Sequence, residues 1–448
     1  MKTKILAFTL ALFMLSGCSA QKKENIVTQN RIEHQEQIEC LKSDVLKLSH
    51  NFDDCSKAFF DDKFVDWLYL EFGEATVVKL KNTLENKKIT SEDWHSITGN
   101  TPTVLYDMFS GALDKTSENY RSDIKVISST DEDTVIRIVG DVSLAENWKI
   151  MPKIKSRKKG IYGVLSKDTV DLLREADIFL FNNEFTISKR GKPLANKAFT
   201  FRASPHCTQY IKDMGADIVS LANNHAYDFG AEAFADTLKT LNLADIPYIG
   251  AGKNIKEAAK PYYFIANGRK YAFSAATKAE KNIRTPKATK DSSGVMRTYD
   301  PKEYIKVIKN AEKQCDYNIA YVHWGAENSH KIENGLYDMG KKFIDAGADI
   351  VVGAHAHILQ GVQFYGEVPI VYNLGNFIFN AENIDTGILE IKISKNGAVQ
   401  HKFIPAVQKN CYTEIVDGKS KTRILKFMET ISIDVDFNEE GIFNSKKN

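Results

Sequence analysis

Strand-length apolar runs alternate with helix-length amphipathic stretches from Thr134 to about residue 380, and this alternation constrains the fold most strongly. The predicted strands are 135–139, 178–181, 218–222, 271–275, 319–322, 350–352 and 370–372, and the predicted helices lie near 168–175, 207–214, 230–241, 302–314 and 335–346. Apolar runs without alternation are typical of strands that are covered on both faces. The pattern predicts an α/β domain with a largely parallel sheet.

Polar side chains follow five of these strands. Three helix-to-strand joins have the same sequence, Ala-Asp-Ile, at 176–178, 216–218 and 348–350. The strand ends are Gly140-Asp141, Asn182-Asn183-Glu184, Asn223-Asn224-His225, His323-Trp324-Gly325 and His355-Ala356-His357. Because ligands of open α/β sheets bind beyond the carboxyl ends of strands, we expect these side chains to meet at one edge.

His355 and His357 follow the apolar run Ile350–Val352 and Gly353. In extended backbone, residues two apart point to the same side, so the two imidazoles are expected to form a pair of metal ligands. The alternative is a pair of partly exposed loop histidines.

The five strand ends supply a mixed set of oxygen and nitrogen ligands. Asp141 and Glu184 contribute carboxylates, and an amide oxygen comes from Asn224; the imidazoles are those of His323, His355 and His357. This set suits one or two divalent transition metals, Mn, Fe or Zn, rather than a structural zinc. Taken singly, Asp141 is also typical of a turn and His323 of a core histidine.

His225 stands next to a predicted ligand and has an imidazole of its own, which fits a general acid for a leaving group. Asp228, three residues later, is expected to cap the helix that begins near Gly230.

The N-terminus has the form of an export signal. Lys2 and Lys4 precede an apolar run, Ile5–Met14, and Leu15-Ser16-Gly17-Cys18 resembles a bacterial lipobox. We expect cleavage of a signal peptide, 1–17, and lipidation of Cys18, which would hold the protein at a membrane of the cell envelope outside the cytoplasm. The alternative is an ordinary signal peptide with a chance cysteine. No other stretch is apolar enough to span a bilayer.

Composition divides the rest of the chain. We predict a polar tether at 18–32, a helical domain or spacer at 33–114, a linker at 115–133, the α/β domain at 134–410, and a C-terminal helix and tail at 411–448. Cys40 and Cys55 would pair if their segment forms a helical hairpin. The formal net charge of +2 gives no sign of a nucleic-acid surface, and that class of partner is excluded.

The region from about 134 to 410 resembles the bacterial CapA/PgsA capsule and poly-γ-glutamate synthesis family, within the calcineurin-like metallophosphoesterase superfamily. The matching pieces, in order, are Gly140-Asp141, Asn182-Asn183-Glu184, Phe201-Arg202-Ala203, Ser220 to His225 with Asp228 and Gly230, Gly250-Ala251-Gly252, His323 to Glu327, Gly353 to His357 with Gln360, and Tyr372 to Phe377.

The resemblance implies a four-layer α/β/β/α sandwich with an added N-terminal helical region. It implies that Asp141, Glu184, Asn224, His323, His355 and His357 bind metal. It also implies that His225, with Asp228, acts as the acid, and that Asn182, Arg202, Glu327 and Asn376 lie near the substrate. Two departures from the superfamily are Ser143, where a histidine is usual, and Glu184 in place of a bridging aspartate.

Three functions are compatible with these residues. The first is a lipid-anchored, metal-dependent phosphoesterase-type hydrolase in capsule or poly-γ-glutamate synthesis or export. The second is a metal-dependent hydrolase or transferase that acts on the amide polymer itself. The third is a non-catalytic accessory subunit of a membrane polymer-export complex that binds an anionic polymer.

Overall fold

The computed structural model describes residues 74–89, 91–98, 124–127, 133–279 and 284–446, together with 41, 43–45, 48, 64–65, 67–68 and 105. The predicted signal peptide, Cys18, the tether, Cys40 and Cys55 lie outside the described residues. The chain divides into two compact units, Met1–Leu113 and Asp114–Asn448. Among the helices that the structure describes, none has the length and apolar character needed to cross a bilayer.

In the described part of the first unit, helix α1 spans Glu74–Asn86 and helix α2 spans Ser91–Thr98. The two helices bury Leu80, Leu84 and Trp94 completely. The ring of Phe64 meets that of Trp94 edge-on, with 6.4 Å between the ring centres. A small apolar core therefore stabilises this unit.

The helices of the second unit are α3 (Ile150–Arg157), α4 (Lys167–Arg174), α5 (Cys207–Asp213), α6 (Gly230–Leu243), α7 (Ile255–Ala258), α8 (Lys302–Glu312), α9 (Leu336–Ile344) and α10 (Gly418–Ile431), with a 3₁₀ turn at Gly160–Gly163. Its first strands are β1 (Ile124–Val126), β2 (Thr134–Val142), β3 (Ile178–Asn183), β4 (Thr186–Ile187), β5 (Arg202–Ala203), β6 (Ile218–Ser220), β7 (Tyr248–Ile249), β8 (Ala251–Gly252), β9 (Tyr262–Ala266), β10 (Arg269–Thr277) and β11 (Gly294–Val295). The later strands are β12 (Tyr317–His323), β13 (Ile350–Ala354), β14 (Leu359–Tyr365), β15 (Val368–Leu374), β16 (Asn376–Ile378), β17 (Ile384–Ile393), β18 (Val399–Gln408), β19 (Thr413–Ile415), β20 (Val435–Phe437) and β21 (Phe443–Ser445).

Two large sheets organise the second unit. One has seven strands in the order β1-β9-β10-β12-β13-β15-β14, and the other has eight, in the order β19-β18-β17-β2-β3-β6-β7 with β16 beside β2. The centre of each sheet is parallel, as β12 with β13 and β2 with β3 show. Each sheet also contains antiparallel pairs, such as β17 with β18 and β14 with β15. The largely parallel sheet that the sequence predicted is therefore observed as two mixed sheets with parallel centres.

The two sheets pack face to face between layers of helices. One apolar cluster contains inward residues of both sheets, among them Ile138 and Ile319. A second joins the outer face of the eight-stranded sheet to helices including α4 and α6, and a third joins the seven-stranded sheet to α8 and α9. The Tyr321 hydroxyl donates a hydrogen bond to the Val139 carbonyl, 3.3 Å away, across the sheets. The α/β/β/α sandwich is therefore the observed architecture.

The structure extends this unit beyond the predicted limits of the α/β domain. Residues 124–126, placed in the predicted linker, form β1 and pair with β9. Past residue 410, β19 adds an edge strand to β18, and α10 buries Ile424, Leu425 and Met428 in the core between the sheets. These segments join the unit through pairing and packing with residues far away in the sequence. Local composition does not predict such contacts.

Candidate metal centre

The predicted ligands come from both sheets. The eight-stranded sheet supplies Asp141 at the end of β2, Glu184 just after β3 and Asn224 after β6. The three imidazoles come from the seven-stranded sheet, where His323 ends β12, and His355 and His357 follow β13. The carboxyl ends of these strands meet at one edge of the sandwich, as expected for parallel strands. One sheet therefore provides the oxygen ligands and the other the nitrogen ligands.

Asp141 and His357 form one half of the cluster. The Nδ1 atom of His357 is 3.1 Å from Oδ2 of Asp141 and 2.8 Å from Oδ1 of Asn376. Burial works to raise the pKa of Asp141, but the hydrogen bond and charge of His357 outweigh it and lower that pKa. Burial works to lower the pKa of His357, but Asp141 raises it. The two groups behave as an ion pair.

Glu184, His323 and His355 form the other half. Each offers a ligand atom, and these atoms lie within 4.8 Å of one another; the same holds for Asp141, Glu184 and His357. Burial and the charge of Asp141 raise the pKa of Glu184 well above its usual value. Burial and the charge of His357 lower the pKa of His355 to about 3, and burial also lowers that of His323. The site thus disfavours further protons on these two imidazoles, and neutral imidazole is the form that binds metal.

The backbone at His355 and His357 differs from the prediction. The strand ends at Ala354, and His355 and His357 have φ angles of 102° and 62°. The expectation that extended backbone points both imidazoles to one side was therefore wrong. A tight left-handed loop brings the rings together instead, with their centres 6.1 Å apart. Such angles are costly for non-glycine residues, and they concentrate at functional sites.

Asn182 connects the two carboxylates. Its Nδ2 donates to Oδ1 of Asp141 at 2.8 Å and to Oε2 of Glu184 at 3.0 Å, and it lies 3.2 Å from Nδ1 of His323. Its own Oδ1 accepts a hydrogen bond from Asn223. The amide nitrogen of Asn182 therefore contacts the candidate ligands, and substrate contact at Asn182 stays a prediction.

His225 and Asp228 form a hydrogen-bonded pair beside the ligands. Nδ1 of His225 donates to Oδ2 of Asp228 at 2.7 Å, and its Nε2 lies 3.8 Å from Oε1 of Glu184. Asp228 also accepts from the Phe201 backbone N–H and lies 2.8 Å from the ammonium of Lys197. The predicted capping role was wrong, because α6 has Phe229 at its N-cap and no side-chain cap. Asp228 orients His225 instead.

Three further predicted residues have different surroundings. Asn224 Oδ1 accepts from Nε2 of His323 at 2.7 Å, within the cluster. Glu327 is exposed. Its charge adds to the rise in the pKa of Glu184 that burial mainly causes, and to the rise in the pKa of His357 that Asp141 causes against burial. Arg202 donates from Nη1 to the carbonyls of Arg190 and Gly191, and its guanidinium stacks on Phe229. The contacts described for Arg202 are therefore structural, and substrate contact at Arg202 and Glu327 stays a prediction.

Comparison with known proteins identifies the family. The family model for "Bacterial capsule synthesis protein PGA_cap" matches residues 135–381, the stretch that holds every residue of this cluster. The chain belongs to this family.

Named relatives agree with this assignment. The chain is 28% identical over 306 residues to the "Capsule biosynthesis protein CapA" of Bacillus anthracis, covering 66% of this chain and 72% of that one. It is 30% identical over 229 residues to the "PGA biosynthesis protein CapA" of Bacillus subtilis strain 168, covering 50% and 59%. A "Probable polyglutamine synthesis accessory protein" of Mycobacterium tuberculosis strain H37Rv is 27% identical over 217 residues, covering 46% and 57%. The matches to the last two thus span less than two thirds of those proteins.

Among solved structures, a 5′-nucleotidase from Candida albicans SC5314 matches with a TM-score of 0.34 and 12% identity, covering 60% of this chain and 51% of that one.

The residues of this capsule-synthesis family member fit divalent metals. Within the described residues, Oε1 of Glu184 and Nδ1 of His355 are buried ligand atoms without a hydrogen-bond partner. Unsatisfied buried polar atoms are costly, and a metal ion would satisfy both. Carboxylate, amide and imidazole together suit Mn, Fe or Zn. The Ser143 hydroxyl is also buried without a hydrogen-bond partner.

Sequence reasoning missed two residues of this site. Asn223 anchors the turn by accepting from the His225 N–H and donating to Asn182, and its place in the Asn-Asn-His run was the available signal. Lys197 is buried, with 4% of its side chain exposed, and pairs with Asp228. No motif around Lys197 in the sequence predicts this ion pair, because the contact joins a loop to a distant turn.

Proposed function

We propose that this protein is a metal-dependent phosphoester hydrolase of the cell envelope that acts in capsule or poly-γ-glutamate synthesis or export. The observation that supports catalysis is the His225–Asp228 pair beside a buried cluster of two carboxylates and three imidazoles. A site that only bound a polymer would not need an imidazole held in a fixed tautomer next to metal ligands.

Each group of the chain has a distinct role in this proposal. Asp141, Glu184, Asn224, His323, His355 and His357 hold one or two divalent metals. When bound, such metals polarise a phosphoryl oxygen and lower the pKa of water. Asn182 holds the two carboxylates at a fixed separation, and Asn376 orients the His357 ring. Second-sphere hydrogen bonds of this kind keep ligands aligned.

His225 supplies the proton to the leaving group. Its Nδ1 is bound to Asp228, so its Nε2 faces the ligand cluster, where Glu184 lies. The Phe201 ring packs on the imidazole, with ring centres 4.5 Å apart, and excludes water from that face. The buried carboxylate of Asp228 stabilises the imidazolium form that donates the proton.

Location and partners are part of the same proposal. Lipidation of Cys18 would attach the protein to a membrane surface, and a membrane complex for polymer synthesis would be its partner. The substrate would be a phosphoester intermediate or the anionic polymer. Membership of a capsule-synthesis family supports the cell envelope as the place of action.

An accessory role without catalysis is the second candidate. The name of the Mycobacterium tuberculosis relative, an accessory protein of synthesis, favours it. In that case the cluster would bind polymer or stabilise the fold.

Metal content is the first test. Residues 19–448 would be purified, incubated with Mn, Fe or Zn, and assayed by mass spectrometry beside His355→Ala and His357→Ala. We expect about one to two metals per chain in the wild type and a loss in both variants. A wild type that binds none of the three metals would contradict the hydrolase.

His225→Ala separates the two candidate functions. If the protein is a hydrolase, the His225→Ala variant keeps its metal but no longer hydrolyses phosphoesters. If the protein is an accessory subunit, the wild type hydrolyses no phosphoester, and the variant keeps the affinity of the wild type for poly-γ-glutamate. Release of glutamate from the polymer by the wild type would instead support an amide hydrolase.

A further inference from the structure

A cleft of about 660 Å³ opens onto the metal centre at His355. Its walls include Lys278, Lys331, Tyr299 and Glu333, none of which belongs to the ligand cluster. We call it the two-lysine cleft. Because it borders a candidate ligand and is far larger than a phosphate group, it has room for the part of a substrate that lies next to the reacting group.

The segment that carries Lys278 is fixed beside a predicted ligand. The backbone N–H of Lys278 donates to the carbonyl of His323 at 2.9 Å. The carbonyl of Ala279 accepts from Nη2 of Arg297, also at 2.9 Å, and the guanidinium of Arg297 stacks on the ring of Tyr299. Lys278 and Tyr299 are therefore held in one rigid wall of the cleft.

The loop that carries Lys331 is tied to the histidine loop. The Asn328 N–H donates to the carbonyl of Ala356, the residue between His355 and His357, at 2.8 Å. The Gln360 side chain donates to the Ser329 carbonyl at 2.8 Å, and His330 Nδ1 donates to the Leu359 carbonyl at 2.7 Å. Three contacts thus hold the backbone that leads to Lys331 beside the histidine loop.

We infer that the two-lysine cleft binds a second anionic group of the substrate through Lys278 and Lys331. The substrates would then be phosphoesters that carry a carboxylate or a further phosphate beside the reacting phosphate. A lysine ammonium is a flexible point charge that binds either anion, so the shared chemistry is the negative charge. Glu333 in the same wall opposes this charge and limits the affinity. The inference rests on the proposed hydrolase function.

The test compares three substrates built on one ring. They are phenyl phosphate, which has no second anion, 3-carboxyphenyl phosphate and benzene-1,3-diyl bisphosphate. Phosphate release by the Mn-loaded full chain gives kcat and KM for wild type, Lys278→Ala, Lys331→Ala and Glu333→Gln. Lys309→Ala, an exposed lysine on α8, is the matched control.

We expect each cleft-lysine variant to raise KM about tenfold for the substrates with a second anion, and less than about twofold for phenyl phosphate. Glu333→Gln should lower the same KM values, and Lys309→Ala should change none. The carboxylate and bisphosphate substrates show which anion the cleft prefers. Equal changes for all three substrates, or no change, would overturn the inference.

A binding measurement keeps the inference separate from the proposed hydrolase activity. If the wild type hydrolyses none of the substrates, the hydrolase fails, and calorimetry with benzene-1,3-dicarboxylate decides about the cleft. Binding that weakens in both lysine variants but not in Lys309→Ala supports the anion site. No binding, or equal binding by all variants, overturns it.

Discussion

Nδ1 of His225 lies 2.7 Å from Oδ2 of Asp228, and both side chains are buried. This contact leaves Nε2 facing the ligand cluster, and the second oxygen of Asp228 faces Lys197. The turn 225–228 thereby joins the proposed proton donor, His225, to a buried carboxylate whose charge is compensated by Lys197.

Asp228→Asn should reduce turnover more than metal content. The amide keeps the shape of the side chain but no longer stabilises the imidazolium, and we expect kcat to fall by about 10²- to 10⁴-fold. Steady-state kinetics and metal analysis of the same preparation would measure both effects. Asp236→Asn, an acid on α6 that pairs with Arg190, is the control and should keep kcat near wild type. Unchanged kcat in Asp228→Asn would exclude the proton-donor role of the pair.

Lys197→Met should destabilise the fold. Removing the ammonium leaves the carboxylate of Asp228 buried without its counter-charge, and breaking such a pair typically costs about 3–5 kcal/mol in unfolding free energy. Urea unfolding of wild type and variant would measure the loss. Combined with Asp228→Asn, the loss should be smaller than the sum of the two single losses, because no unpaired charge remains. Additive losses would show that the two side chains do not interact.

In the metal-free protein, His355 should contribute a loss of stability as pH falls from about 6.5 towards 3. The pKa of His355 is lowered to about 3 by burial and by the charge of His357, whereas an unfolded histidine titrates near 6.5. In this window the unfolded chain binds a proton that the folded chain does not. The unfolding free energy therefore falls by at most about 1.4 kcal/mol per pH unit for this group.

His323 acts in the same direction. Glu184 acts against it, because its raised pKa lets the folded chain keep a proton that the unfolded chain loses above about 4.5. Asp141 acts below this window, and His357 acts against the loss. The lowered pKa of Asp141 makes its contribution disappear only as pH falls through its folded pKa, below 3.8. The raised pKa of His357 gives stability that is lost as pH rises through its folded value. Melting temperatures of EDTA-treated wild type and His355→Gln across this range test the first effect. The variant should show a shallower acid loss, and parallel curves would contradict the prediction.

Gly140→Ala should weaken metal binding. A Cβ at this position would lie 2.0 Å from the carbonyl oxygen of Gly375, which accepts the backbone hydrogen bond of Asp141. Strand β2 must shift to relieve the clash, and Asp141 moves with it, so we expect fewer metals per chain and a lower melting temperature. Gly268→Ala is the control. An alanine at its φ of 72° costs roughly 1–2 kcal/mol, but no atom of the described residues lies within 4 Å of the added Cβ. Equal metal content in both variants would contradict the prediction.

The strand ends were predicted well from the sequence, because the carboxyl ends of neighbouring parallel strands lie at the same edge of a sheet. The observed strands β3, β12 and β13 begin or end within a few residues of the predicted bounds, and the polar residues after them share one edge. The helix α10 was also expected from its local pattern. Local periodicity and a single topological rule were sufficient for these features.

Features that depend on distant contacts were not predictable in this way. His355 has left-handed backbone, and its N–H donates to Oδ2 of Asp141, which belongs to the other sheet. The prediction instead extended the β conformation of the preceding strand through His355. Asp228 resembles a helix cap in sequence, but its partners, Lys197 and the Phe201 N–H, come from a separate loop. Pairing of β1 with β9 joins residues more than a hundred positions apart.

Because the candidate ligands are divided between the two sheets, they are also synthesised at different times. Asp141 and Glu184 emerge from the ribosome well before the imidazoles, and the contact between Asp141 and His357 spans 216 positions. A nascent chain therefore presents the two carboxylates without His323, His355 and His357, and carboxylate oxygens favour Mg and Ca. In the proposed site, selectivity for a transition metal would be acquired only when the C-terminal half has folded against the N-terminal half, so a truncated chain would bind different ions.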